Sequence, residues 1–313
     1  MNLIRSKIDQ LFLPELADKK IGLYVKREDL IHPIISGNKY RKLFYNIQEA
    51  KQKGYKQLLT FGGAYSNHIL ATAGAGSEFG FKTVGVIRGE ELGVDLEKTL
   101  ATNPTLKAAH ALGMEFHFIS RTDYKLKNTV DFLAKITEKH KESYILPEGG
   151  TNDLAIKGCE AILGVETEGF DFICSAVGTG GTLSGIINAS LPSQQILGFP
   201  ALKGEFLKKE IENNGVNKSN WKLILDYHFG GYAKIDKELI TFINKFYNTT
   251  NVLLDPIYTG KMFYGIINMV QNDKFPKGTN ILMIHTGGLQ GIKGMNILLA
   301  KKGLPLLIDR KYE

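Results

Sequence analysis

Short β-branched or apolar runs alternate along the chain with longer stretches in which apolar residues recur every three or four positions. Residues 22–28, 57–61, 82–87, 114–119, 170–177, 195–199, 222–225 and 280–284 have the length and apolar or β-branched content of strands. Between them, Leu43, Ile47 and Ala50 share one helix face, as do Leu239, Phe242 and Ile243. Alternation of this kind predicts an α/β protein. Its open, twisted and mostly parallel sheets carry helices on both faces, joined by right-handed crossovers. No repeat of fixed period and no low-complexity linker divides the sequence.

Glycines punctuate the points where a strand hands over to a helix. They cluster in Ser36-Gly37-Asn38, Gly62-Gly63-Ala64, Gly149-Gly150, Gly178-Thr179-Gly180-Gly181 and Thr286-Gly287-Gly288. Open α/β sheets bind ligands beyond the carboxyl ends of their strands, so these clusters predict a shared cleft.

Composition narrows the classes. At 313 residues the chain can bury one large or two moderate cores, and 43% hydrophobic with 23% charged residues argues against disorder or a fibrous repeat. No apolar run approaches a membrane span, and Arg5, Lys7, Asp9 and Glu15 interrupt the first twenty residues, unlike a secretory signal. Two cysteines, Cys159 and Cys174, are too few for a disulfide framework or a thiolate zinc site. A cytoplasmic protein without a metal is therefore expected. The net charge of +7 is scattered, with Asp131 and Glu138 interleaved among the lysines of 125–141, and nucleic acid is not an expected partner.

Three segments carry candidate chemistry. In Val177-Gly178-Thr179-Gly180-Gly181-Thr182, backbone N–H groups and two hydroxyls at a helix start suit a phosphate. Leu183 stands where a dinucleotide fingerprint needs glycine, and no lysine follows Gly181 as a P-loop requires. A structural turn explains the loop equally well. In Ser36-Gly37-Asn38-Lys39-Tyr40-Arg41-Lys42-Leu43, a partly buried lysine at a helix's positive end would lose its proton easily, as imine chemistry needs. The alternative is that Lys39, Arg41 and Lys42 merely solvate a helix start. In Gly62-Gly63-Ala64-Tyr65-Ser66-Asn67-His68, Ser66 and Asn67 could bind a carboxylate, cap a helix, or do both.

Taken together and in order, these motifs, with Asp255-Pro256-Ile257-Tyr258-Thr259-Gly260-Lys261, resemble the 1-aminocyclopropane-1-carboxylate (ACC) deaminase/D-cysteine desulfhydrase family. Its members are pyridoxal-phosphate (PLP) enzymes of fold type II. The resemblance runs from about Leu23 to Gly291, and Val25-Lys26-Arg27-Glu28-Asp29 and His285-Thr286-Gly287-Gly288 also match. It implies that Lys39 is the Schiff-base lysine and that Gly178, Thr179, Gly180, Gly181 and Thr182 hold the cofactor phosphate. Asn67 is implied at the ring hydroxyl, with Thr286 and Thr259 near the pyridine nitrogen. Tyr65, Ser66, Asn67 and His68 are implied at the substrate, with Ser66, Tyr258 and Tyr232 catalytic beside Lys39. The implied architecture is a large cofactor-binding domain (1–45 and 152–313) with a smaller one (46–151) inserted, the active site between them, in a homodimer.

ACC deaminases of the family carry glutamate directly after the tyrosine of Asp-Pro-x-Tyr, where this chain has Thr259, as in the desulfhydrase branch. A neutral partner leaves the ring a weaker electron sink, which suits β-elimination of a good leaving group. The resemblance therefore implies D-cysteine, or a related small amino acid, as substrate. ACC deamination and a non-catalytic PLP-binding relative are the alternatives. Tyr65, where many relatives have glutamine, leaves the substrate open.

Overall fold

The computed structural model describes residues 1, 3–204 and 206–309. Among the described residues, ten strands form two sheets. The first contains β1 (Ile8–Leu11), β2 (Gly22–Lys26), β7 (Phe172–Val177), β8 (Gln195–Pro200), β9 (Trp221–Leu223) and β10 (Asn280–Ile284), in the order β1-β2-β10-β7-β8-β9. The second contains β3 (Gln57–Gly63), β4 (Lys82–Arg88), β5 (Met114–Ile119) and β6 (Ser143–Leu146), in the order β5-β4-β3-β6. All pairings are parallel except β1 with β2.

Among the described residues, twelve α-helices connect and cover the sheets. In chain order they are α1 (Asn38–Gln52), α2 (Asn67–Phe79), α3 (Leu96–Thr102), α4 (Pro104–Ala111), α5 (Arg121–Lys125) and α6 (Val130–Lys139). Then follow α7 (Asp153–Glu160), α8 (Gly181–Ala189), α9 (Phe206–Asn213), α10 (Lys237–Thr250), α11 (Thr259–Gln271) and α12 (Gly291–Lys301).

Alternate residues of each strand serve opposite faces, because successive side chains point to opposite sides of a sheet. Ile281 and Met283 of β10 pack with Leu239 and Ile243 of α10, Phe263 of α11 and Leu299 of α12. Leu282 and Ile284 face Leu183 and Ile187 of α8 and Ile211 of α9. In the second sheet Leu58 lies under α1 and α2, while its neighbour Leu59 joins Tyr124 and Ile136 on the other side. Both sheets are thus covered twice, and the strands read as nearly continuous apolar runs for that reason.

The expected boundary between residues 45 and 46 falls inside α1, which runs unbroken from Asn38 to Gln52. Leu43, Ile47 and Ala50 pack with Leu58, Ala71 and Tyr144, so this helix contributes to the core of the four-stranded sheet. Among the described residues, no helix is long and apolar enough to cross a membrane.

Candidate active site

The chain enters α1 through Gly37, whose φ of +64° is a conformation that side-chain-bearing residues rarely adopt. A buried ion pair braces the helix from below. Arg41 Nε and Nη2 donate to the two Glu28 carboxylate oxygens at 2.8 and 2.9 Å, and Ser6 Oγ donates to Oε1 of the same carboxylate. Arg41 and Lys42 are 1% and 2% exposed. They do not solvate a helix start.

Lys39 is thereby held at the wall of a cavity of about 460 Å³, within the range of small-molecule sites. Its Nζ donates to Asn38 Oδ1 at 3.1 Å, and Asn38 Nδ2 donates to Thr182 Oγ1 at 2.8 Å, linking the lysine to the glycine loop. Burial, then the Lys42 charge, lowers the Lys39 ammonium pKa from 10.5 to about 7. One turn on, Lys42 Nζ donates to the Gly149 carbonyl at 2.9 Å and to the hydroxyls of Thr151 at 2.8 Å and Thr179 at 3.4 Å. Burial lowers its pKa to about 8.

The loop itself follows β7 and opens α8. Gly180 has φ +83°, and a Cβ at Gly178 would lie 3.2 Å from the Tyr258 ring. The backbone turn calls for glycine at 180, and a Cβ at 178 would press on the Tyr258 ring. Gly178, Thr179, Gly180 and Thr182 line the cavity; Gly181 is buried behind them, against Thr151.

Facing Lys39, the loop after β3 turns into α2. Ser66 caps that helix, its Oγ accepting from the N–H groups of His68 and Ile69 at 3.2 and 3.4 Å. The Asn67 carbonyl accepts from Gln290 Nε2, and the Gln290 carbonyl accepts from Thr105 Oγ1 at 3.0 Å. With Asn67 Oδ1 engaged, its Nδ2 lies beside Gly288. His68 has no partner for either ring nitrogen, and burial holds its pKa well below the ordinary value.

Tyr258 and Tyr232 meet edge to face with centroids 6.1 Å apart, and Tyr258 is hydrogen-bonded to the Tyr232 hydroxyl. Burial raises the Tyr258 phenol well above its ordinary pKa, so it stays protonated. Tyr65, Ser66, Asn67, His68, Tyr232, Tyr258 and Thr286 all line the same cavity as Lys39. Thr259 does not. It is fully buried; its Oγ1 donates to Asp255 Oδ2 at 2.6 Å and accepts from the Asp255 N–H at 3.0 Å. It therefore acts on the site only through Asp255, whose carboxylate also receives the N–H groups of Ile257, Tyr258 and Thr259.

Lys42, Gln290, Arg88 and Glu148 belong to this neighbourhood too, beyond the site residues expected from the sequence. Lys42, Arg88 and Glu148 line the cavity, and Gln290 stands behind Asn67.

The family model for pyridoxal-phosphate-dependent enzymes matches residues 9–287. The chain belongs to this family. It is therefore a PLP-dependent enzyme with the type II fold. A Thermotoga maritima protein, provisionally named as a 1-aminocyclopropane-1-carboxylate deaminase, is 34% identical over 304 residues, covering 90% of this chain and 93% of its own. A bifunctional D-cysteine desulfhydrase/1-aminocyclopropane-1-carboxylate deaminase from Arabidopsis thaliana is 32% identical, covering 86% of this chain and 73% of its own. The crystal structure of an ACC deaminase homologue superposes with TM-score 0.79 at 28% identity, covering 95% of this chain and 94% of that one.

The residues fit the cofactor. A readily deprotonated lysine, a glycine loop with two hydroxyls at a helix start, a buried second cation beside that loop and an unpartnered buried imidazole converge on one cavity.

Proposed function

We propose that this enzyme carries out β-elimination on D-cysteine or a closely related small amino acid. With D-cysteine, one water is consumed and pyruvate, ammonia and hydrogen sulfide are released. The observation that carries the reading is the readily deprotonated Lys39 amine, joined through Asn38 to the Thr182 hydroxyl of the glycine loop.

When bound, PLP supplies an electron sink for the substrate's α-carbon. Lys42, Thr179, Thr182 and the backbone N–H groups of 178–182 would hold its phosphate, Lys39 its aldehyde carbon, Asn67 its ring hydroxyl and Thr286 its ring nitrogen. Lys39, once free, takes the α-proton at Nζ, a role suited to an amine whose pKa is about 7. Ser66 and Asn67, at the positive end of α2, bind the substrate carboxylate. Tyr258 keeps its proton and donates it, or a hydrogen bond, at its hydroxyl; Tyr232 orients that hydroxyl. Tyr65 and His68 complete the substrate wall.

Thr286, the residue that would stand at the ring nitrogen, is neutral, and a ring nitrogen without a charged partner supports elimination over ring opening. The names of the similar proteins favour ACC deamination as the second reading. Within the same proposal the two sheets are the cores of two domains flanking the cavity, the smaller spanning 46–151 and sharing α1 with the larger. The protein is a cytoplasmic homodimer in this reading, supported by the buried free thiols of Cys159 and Cys174 and by exposed Ile4 and Phe12.

The test is a paired assay of pyruvate and sulfide from D-cysteine against 2-oxobutyrate from ACC. Sulfide release with little turnover of ACC is expected. Turnover of ACC without sulfide from D-cysteine overturns the assignment.

A further inference from the structure

Four charged side chains line the cavity: Lys39, Lys42, Arg88 and Glu148. Three of them are accounted for. Lys39 and Lys42 face the glycine loop, and the Glu148 carboxylate accepts from Tyr124 Oη at 2.7 Å and pairs with Lys127 at 3.2 Å. Arg88 is left. It ends β4, one strand from Gly63, and one of its terminal nitrogens lies 3.6 Å from where a Cβ on Gly63 would stand. Its guanidinium lies 5.7 Å from the Tyr124 ring centroid; burial raises the Tyr124 and Tyr232 phenols above their ordinary pKa, and the Arg88 charge opposes part of that rise. Among the described residues it has neither a hydrogen bond nor an ion pair, and it is exposed to the cavity side of the sheet's carboxyl end.

A guanidinium is a planar fork of donors that matches a carboxylate or other oxyanion, and the face of Tyr124 restricts its orientation. It stands beside the loop proposed to bind the substrate's α-carboxylate, and its charge acts on Tyr232, which lines the same cavity. We infer that Arg88 recognises an anionic group on the substrate side chain, so that the preferred substrates are small amino acids with a negatively charged β-substituent, such as a thiolate, carboxylate or sulfinate. The inference rests on the amino-acid chemistry proposed above and narrows it.

The experiment uses the holoenzyme, wild type and Arg88→Gln, titrated calorimetrically with D-aspartate and D-alanine as anionic and neutral probes. The wild type binds D-aspartate about tenfold or more tightly than D-alanine, as expected for a charge-assisted pair. Arg88→Gln removes that preference and leaves the D-alanine affinity within about twofold, while Arg88→Lys restores part of it. In turnover, Arg88→Gln lowers kcat/KM for D-cysteine about tenfold and spares β-chloro-D-alanine, whose substituent is neutral. Equal weakening of both probes, or a wild type that does not discriminate, overturns the role of Arg88 and leaves the amino-acid chemistry standing. A wild-type holoenzyme that binds no amino acid overturns both.

Discussion

Gly37 backs directly onto Thr286: a Cβ at Gly37 would lie 2.0 Å from the Thr286 carbonyl oxygen, which also accepts the Asn38 N–H at 3.2 Å. This contact locks the start of α1 against the end of β10, and Lys39 is the next residue but one. Replacing Gly37 by Ala forces the two backbones apart in a conformation already unfavourable for alanine. We expect a loss of at least about 2 kcal/mol in unfolding measurements, together with weaker cofactor retention. Unchanged stability and colour would mean that the contact does not position Lys39.

Lys42 presents a buried ammonium to Thr179 and Thr151 at the mouth of the glycine loop. Lys42→Met keeps much of the apolar stem and removes the charge. Cofactor affinity of the apoprotein, followed by absorbance titration, is expected to fall by about 10- to 100-fold, the range for hydrogen bonds to charged groups. The aldehyde without its phosphate should bind both proteins equally.

The Lys39 pKa of about 7 has two consequences for pH. The rate at which apoprotein captures PLP should rise through pH 7 and level off well below pH 10, because capture needs the neutral amine and an ordinary lysine keeps its proton until about 10.5. In the same window the unfolded chain binds one more proton here than the folded one, so this group makes the apoprotein more stable as pH rises from about 7 towards 10.5. Stopped-flow absorbance reads the first effect and thermal melts the second. A capture rate still climbing steeply at pH 9 would place the amine near its ordinary pKa.

Thr259 stabilises Asp255 and lies off the cavity wall. Thr259→Val preserves the shape but leaves the Asp255 N–H and one carboxylate oxygen short of a partner. A cost of about 1–3 kcal/mol is expected in thermal or denaturant unfolding, with the colour of the bound cofactor retained. Loss of colour without loss of stability would put Thr259 in direct contact with the cofactor.

Several features of the fold were legible because each strand announces itself when both its faces are buried. The runs beginning at Met114 and Asn280 coincide with β5 and β10 from end to end. The two strands that escaped notice, β1 and β6, are sheet edges of four residues each. Ile8-Asp9-Gln10-Leu11 has an apolar residue only at its two ends, and Ser143 follows a charged stretch, so neither pattern rises above its surroundings. The cavity residues on glycine-bearing turns were readable because strand-to-helix turns are where open α/β sheets bind ligands, although each turn alone also had a purely structural explanation and only their order together pointed to a site. Lys42, Arg88 and Gln290 were not. A lysine at the fifth position of a helix looks solvent-facing until Gly149 and Thr179 close over it, and only the strand pairing brings Arg88 beside Gly63.

Lys39 is the amine proposed to carry the cofactor, and its neighbour Lys42, with a pKa of about 8, is the natural competitor. Borohydride reduction of the yellow holoenzyme followed by peptide mapping by mass spectrometry distinguishes them. A single phosphopyridoxyl label on Lys39, absent from Lys39→Ala, is expected. A label on Lys42, or a protein that carries none, would contradict it.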